Sequence, residues 1–229
     1  MSGLFVTFEG ADGAGKSTQL RLAAERLRAA GADVATTREP GGSAGGEEIR
    51  ALLVSGAPGR WSAETELLLF TAARRDHLET VIEPALARGA VVLCDRYVDS
   101  TRAYQAAGRG APRELVETLH RAVIGRDPDV TLVFDLDPAI AAARRAGAER
   151  PEIAGAAAAA TKQREARFER FGPAFQEALR AAFLAIAAAE PARCRVIDAA
   201  AGAAAVAETV ARAIDAAVAA KRGSREPGG

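Results

Sequence analysis

The 229 residues carry 30 basic and 30 acidic side chains and are 49% hydrophobic, enough apolar material for one sizeable core and one α/β domain. Zero net charge argues against a general nucleic-acid or membrane-surface binder, whose footprint is a basic excess. No run of about 18 or more strongly apolar residues and no basic-then-apolar leader is visible, so the expectation is a cytoplasmic protein.

Residues 4–9 form a short apolar run rich in β formers and read as the first, buried strand of a parallel sheet. It ends in Gly10-Ala11-Asp12-Gly13-Ala14-Gly15-Lys16-Ser17, which spells the phosphate-binding loop G-x-x-x-x-G-K-[ST]. Glycines let successive backbone N–H groups face a triphosphate without a Cβ in the way. Lys16 then supplies a point charge at the β/γ-phosphates, and Ser17 offers a hydroxyl to a magnesium ion. The helix predicted over 18–30 adds its positive N-terminal dipole, and Gly31 reads as its C-cap. Asp12 is unusual, because a carboxylate in this loop repels the ligand it serves. It either caps a backbone amide or reaches an uncharged group such as a sugar hydroxyl.

A second strand over 32–37 delivers Arg38-Glu39-Pro40-Gly41-Gly42 at its carboxyl end, where ligands bind in open α/β sheets. Arg38 is either a surface arginine or an anion contact held by turn chemistry. A helix over 47–54 carries Arg50. After a Gly/Pro break, Ser62 opens a long helix expected to run to about residue 87. Phe70 and Arg74 lie one turn apart on it. Phe70 alone reads as a core aromatic, but with the arginine it forms a floor and a cation suited to a flat polar ring.

The third strand, over 90–94, ends in Asp95-Arg96-Tyr97. Asp95 sits where a magnesium-organising carboxylate usually lies, and Arg96 can make a bidentate contact to a phosphate. A polar loop follows, with Ser100, Thr101, Tyr104 and Gln105. A helix over 112–125, a strand over 130–135 and a helix capped by Asp137 with Pro138 at its first position come next. That helix bears Arg144 and Arg145 and gives way to an alanine-rich flap over 146–160. Arg164, Arg167 and Arg170 follow, readable as a solvated face with Glu165 and Glu169. A helix over 168–189, a short strand over 195–198 and a closing helix over 202–220 complete the domain, with residues 222–229 expected as a disordered tail. Cys94 and Cys194 lie in apolar strand runs and read as small hydrophobes, not as a disulfide or metal pair.

Strand–helix alternation predicts a three-layer α/β/α domain with a five-stranded parallel sheet and ligands along its carboxyl edge. A phosphate loop, strand-end arginines and an arginine-bearing flap are the equipment of phosphoryl transfer.

The run from Phe8 to Thr18, then Thr37-Arg38-Glu39-Pro40-Gly41-Gly42, then Asp95-Arg96-Tyr97 with Ser100, Ala103-Tyr104-Gln105 and Gly108-Arg109-Gly110, resembles bacterial thymidylate kinase over nearly the whole chain. The resemblance implies a P-loop kinase fold over 1–221 with a mobile lid over about 144–167, and phosphorylation of dTMP by ATP with Mg2+ at Ser17 and Asp95. It implies that Phe70 stacks on the thymine while Arg74, Thr101 and Gln105 read the base edges. Arg96, Arg38 and Arg50 would hold the acceptor phosphate, Asp12 the sugar 3′-hydroxyl, and Tyr104 would pack near the 2′ position. It also implies a homodimer.

The phosphate loop carries Ala11, Asp12 and Ala14 and no basic residue there, which resembles the type whose catalytic arginine comes from the lid. Arg144, Arg145, Arg150 and Arg167 are the candidates. The lid departs from the family pattern in having Ala166 before Arg167, where an acid is common. Two other readings remain open: a kinase for a different small acceptor, and a slow nucleotide-hydrolysing switch.

Overall fold

The computed structural model describes residues 3–55, 59–104, 110–148 and 172–223, with no side-chain description for Arg145, Gly147, Ala148 and Arg222. The elements in chain order are β1 (Leu4–Gly10), α1 (Lys16–Ala29), β2 (Val34–Arg38), α2 (Ala44–Val54), α3 (Ala63–His77), α4 (Glu83–Ala87), β3 (Val91–Asp95), α5 (Val98–Thr101), α6 (Arg113–Leu119), β4 (Val130–Asp135), α7 (Pro138–Ala148), α8 (Gly172–Ala189), β5 (Cys194–Asp198) and α9 (Ala203–Gly223).

The five strands form one parallel sheet in the order β2-β3-β1-β4-β5. β1 is central and buried along its length, as expected of a parallel strand covered on both faces. Its alternation sorts the core. Leu4, Val6 and Phe8 pack with Leu93, Leu132, Phe134 and Ile197 against α1 and α9, whereas Phe5 joins Val92, Cys94, Leu78, Ile82 and Leu86 on the other face. A third cluster sets Val133 and Cys194 against Leu179 and Phe183 of α8, with Tyr104 beside them. Parallel strands place all carboxyl ends on one edge, so Gly10, Arg38, Asp95, Asp135 and Asp198 end side by side. Chain direction across the sheet reverses around β1, which opens the ligand crevice there.

The three-layer expectation therefore holds, with local corrections. The long helix expected from Ser62 is interrupted: α3 passes through one π turn, Leu78–Ile82, where the Glu83 N–H reaches back to Leu78 O. Pro84 accounts for this, since it has no N–H and its ring crowds the carbonyl four residues earlier. The expected helix over 112–125 likewise ends in a π turn, closed by Gly125 at φ 63°. Ser62 and Asp137 do cap their helices, accepting the N–H groups of Thr65 and Ala139 at 3.1 and 2.7 Å. The closing helix runs to Gly223, so Arg222, expected in the tail, belongs to the helix, and residues 224–229 lie outside the described residues. Most of the flap expected over 146–160, with Arg164 and Arg170, lies outside the described residues. Cys94 and Cys194 are buried and unpaired with each other. Among the described residues no helix is long and apolar enough to cross a membrane.

Candidate active site

The loop after β1 is shaped by its glycines. Gly10 has φ 131°, and a Cβ there would lie 2.5 Å from Phe134 O. Gly15, at φ 89°, leads into α1 with no side-chain cap, leaving the first N–H groups of the helix for an anion. Lys16 is buried and folds back on the loop, its Nζ donating to Ala11 O at 2.9 Å and lying 3.8 Å from Asp12 Oδ1. Burial, then Arg96, lowers its pKa, while Asp12, Asp95 and Glu9 oppose that shift. Ser17 Oγ donates to Asp95 Oδ2 at 2.6 Å, so the loop hydroxyl and the β3 carboxylate form one oxygen pair.

Arg96 follows β3 in the left-handed region, at φ 70°, the one such non-glycine residue among those described. That conformation is uncommon for a side chain of this size and persists where surroundings enforce it. The enforcing contacts are visible. Arg96 N–H donates to Phe8 O at 3.0 Å. Its Nη1 donates to Ser100 Oγ at 2.9 Å and its Nη2 to Asp12 Oδ1 at 2.6 Å, with the guanidinium 5.1 Å from the Tyr104 ring centre. The Asp12 carboxylate is thus paired with a cation delivered by another strand, a contact that its local sequence did not signal.

At the β2 end, Arg38 is exposed and its Nη2 donates to both oxygens of Glu47 at 3.0 and 3.1 Å. Glu47 Oε1 also accepts the Gly42 N–H at 2.9 Å. Burial alone would raise the Glu47 pKa, but the Gly42 amide, Arg38 and Arg50 hold it below the ordinary range. Arg50 Nη1 donates to Pro40 O at 2.6 Å. Both arginines thus brace the same turn.

On α3, Phe70 is half-buried and stands in none of the core clusters, so it is not a core aromatic. Arg74 is 3% exposed; its Nε donates to Glu39 Oε2 at 2.7 Å and its Nη2 to Thr101 Oγ1 at 2.9 Å. Glu39 also meets His77 Nδ1 at 3.0 Å, and His77 Nε2 meets Thr37 Oγ1 at 2.6 Å. Glu39 therefore joins the β2 turn to α3. Sequence reading missed this role, although an acid beside Pro just past a strand end was the available signal.

Of the lid arginines, Arg144 is the one whose side chain is described, and its Nη1 donates to Ala199 O, 2.9 Å away, just beyond β5. Arg150 and Arg167, with Gln105, lie outside the described residues. The structure thus brings together Lys16, Ser17, Asp12, Asp95, Arg96 and Tyr104, sets Arg74 with Thr101 beside them, and puts Arg38 and Arg50 on the neighbouring turn. A second missed residue is Glu9, a fully buried carboxylate in β1. Its signal was a charge at the end of an otherwise apolar run.

Residues 8–210 match the family described as thymidylate kinase. The chain is 57% identical over 197 residues to a thymidylate kinase of Ruegeria pomeroyi, covering 86% of this chain and 87% of that one. It is 57% identical over 198 residues to one of Caulobacter vibrioides, covering 86% and 88%. It is also similar to the crystal structure of thymidylate kinase from Ehrlichia chaffeensis, at 32% identity and a TM-score of 0.71, covering 93% of this chain and 99% of that chain.

Proposed function

The chain belongs to the thymidylate kinase family, and from that premise we propose how its residues divide the ATP-dependent conversion of dTMP to dTDP. The observation that carries the assignment is the convergence of two cations on Asp12: Arg96 Nη2 at 2.6 Å and Lys16 Nζ at 3.8 Å. An acceptor phosphate that displaces Asp12 from Arg96 comes to lie beside a γ-phosphoryl group held by Lys16. Little covalent chemistry is needed for this transfer, and positioning with charge neutralisation supplies most of the rate.

The backbone amides of residues 10–17 and the Lys16 ammonium hold the donor phosphates. Ser17 Oγ and Asp95 Oδ2, 2.6 Å apart, are hard oxygen donors that fit a magnesium ion. Two such donors suit a metal that takes its other ligands from water and substrate phosphates. A magnesium ion held by Ser17 and Asp95 would supply charge neutralisation for the phosphoryl group in transfer. Arg96, with Arg38 and Arg50, takes the acceptor phosphate. Phe70 stacks on the thymine, and Arg74, Thr101 and Gln105 address its edges, Arg74 being fixed in direction by Glu39. Tyr104 lies under Arg96 and closes the space near the sugar 2′ position. Asp12, once released, reaches the 3′-hydroxyl. A lid arginine from the set Arg144, Arg145, Arg150 and Arg167 covers the transferred group and helps exclude water.

We further read the chain as one P-loop kinase domain over 1–221, with its lid at about 144–167, acting as a cytoplasmic homodimer. Two free, buried cysteines suit a reducing compartment, and the exposed Leu52 and Leu68 on α2 and α3 suit a subunit contact.

The test is ADP formation from ATP and magnesium with dTMP, dUMP, dCMP, UMP, AMP or no acceptor, in wild type and Arg96→Ala. Strong preference for dTMP and a raised dTMP KM in the variant are expected. Preference for another acceptor overturns the base pocket, and equal rates with and without acceptor overturn the kinase assignment.

A further inference from the structure

Glu9 is the one carboxylate of β1, and each residue of that strand is buried. It shares a face of the strand with Phe5 and Thr7. Phe5 packs with Val92, Cys94 and Tyr97, and the Thr7 and Thr131 hydroxyls meet at 2.9 Å. A carboxylate in such a place is strongly unfavourable unless its oxygens are hydrogen-bonded. Both are: the Tyr97 N–H donates to Oε1 at 2.7 Å and the Ser100 hydroxyl to Oε2 at 2.6 Å. Ser100 Oγ in turn accepts from Arg96 Nη1 at 2.9 Å.

We infer that Glu9 is a positioning residue for the acceptor phosphate, fixing through Ser100 and the Tyr97 amide the direction in which Arg96 presents its guanidinium. The inference rests on the reading of Arg96 as the acceptor-phosphate contact. Arg96 needs such a hold because its backbone lies in the left-handed region at φ 70°. Glu9 grips both sides of that residue, its oxygens taking the next amide in the chain and the hydroxyl that meets the guanidinium. Asp12 is the partner that the acceptor displaces, so in the loaded state the guanidinium keeps the Ser100 hydroxyl, itself held by Glu9, and the face of the Tyr104 ring.

The relay requires an ionised Glu9. Oε1 faces an N–H, so a proton must sit on Oε2, where it turns the Ser100 hydroxyl away and removes negative charge beneath Arg96. Cations facing Glu9 are Arg96 and Lys16; the facing acid is Asp99, and Tyr104, Cys94 and Cys194 are the neutral titratable neighbours. Burial, then Asp99, raises Glu9 to about 7, against Arg96, Ser100 and the Tyr97 amide.

Steady-state kinetics from about pH 5.5 to 9 on wild type, Glu9→Gln, Ser100→Ala, the double variant and Arg96→Ala test this. Glu9→Gln is expected to raise the dTMP KM roughly tenfold, the scale of one lost charge-assisted contact, with ATP KM nearly unchanged. The dTMP phosphate has its own second ionisation near about 6. It is common to all variants, so a step near pH 7 in kcat/KM for dTMP that is present in wild type and absent in Glu9→Gln reports Glu9. Ser100→Ala is expected to shift dTMP KM in the same direction, and the double variant to be no worse than Glu9→Gln, as for members of one relay. Should Glu9→Gln not fold, Ser100→Ala decides alone, an unchanged dTMP KM overturning the inference. A raised dTMP KM in Arg96→Ala with wild-type KM and pH profile in Glu9→Gln overturns the positioning role only. A normal KM in Arg96→Ala overturns both that role and the reading beneath it.

Discussion

Asp12 of the phosphate loop and Arg96 beyond β3 are 84 residues apart in sequence and joined by a 2.6 Å ion pair. Under the roles proposed above, the pair couples the two substrate sites, the carboxylate of the donor loop covering the guanidinium assigned to the acceptor. Asp12→Asn should therefore free Arg96. A dTMP analogue lacking the 3′-hydroxyl removes the other role of Asp12 from the comparison. Its Kd is expected to fall about twofold to fivefold in the variant, the range for a partly exposed ion pair. Titration calorimetry checks this, and unchanged binding would show that Asp12 does not compete for the guanidinium.

Lys16 is buried and closed on Ala11 O, ready to be turned toward a phosphate. Its removal in Lys16→Ala should lower kcat on the order of 100-fold or more, as for loss of one preorganised charge-stabilising donor. Turnover with saturating ATP and dTMP measures this, and near-normal turnover would count against the whole assignment.

Arg167 falls in the segment proposed as the lid, with Ala166 where an acid often precedes it. If it closes over the transferred phosphoryl group, Arg167→Ala should lower kcat on the order of 1,000-fold and leave dTMP affinity close to wild type. A change confined to the dTMP KM would move Arg167 to the substrate-binding set and leave the catalytic role to another lid arginine.

Glu39 is 6% exposed and holds both Arg74 and His77. Glu39→Ala would strand a buried guanidinium, a change that costs about 3–5 kcal/mol. Urea denaturation at pH 7 is expected to show a loss of that size together with weaker dTMP binding. A loss below about 1 kcal/mol would place water or another group in the role given to Glu39.

Glu9 also makes stability depend on pH. Burial is the main cause that lifts it from 4.5 to about 7. Between those values the folded chain keeps a proton that the unfolded chain has released. Its contribution is therefore fully present below pH 4.5 and is lost as pH rises through 7. The loss amounts to on the order of 3 kcal/mol and is absent from Glu9→Gln. Wild-type stability relative to that variant should fall between about pH 5 and 7 and level off above. A difference independent of pH would mean that Glu9 titrates at an ordinary value.

The sequence by itself determined what is local or contiguous. The phosphate loop is one unbroken motif, strand and helix periods report which residues are buried, and caps such as Ser62 and Asp137 act within two or three residues. The whole of β4 and the phosphate-loop positions of Lys16 and Ser17 were legible on those grounds, as was Asp95 at a strand end beside that loop. Only the tertiary structure decided the order β2-β3-β1-β4-β5, and with it which strand ends meet. Periodicity gives a face and not the element that covers it. Hence Asp12 could not be matched to Arg96, nor Arg74 to Glu39, nor Glu9 to Ser100 across 91 residues. Each of these charges is tolerable only because a distant segment brings its counterpart, and a one-dimensional pattern carries no record of that meeting.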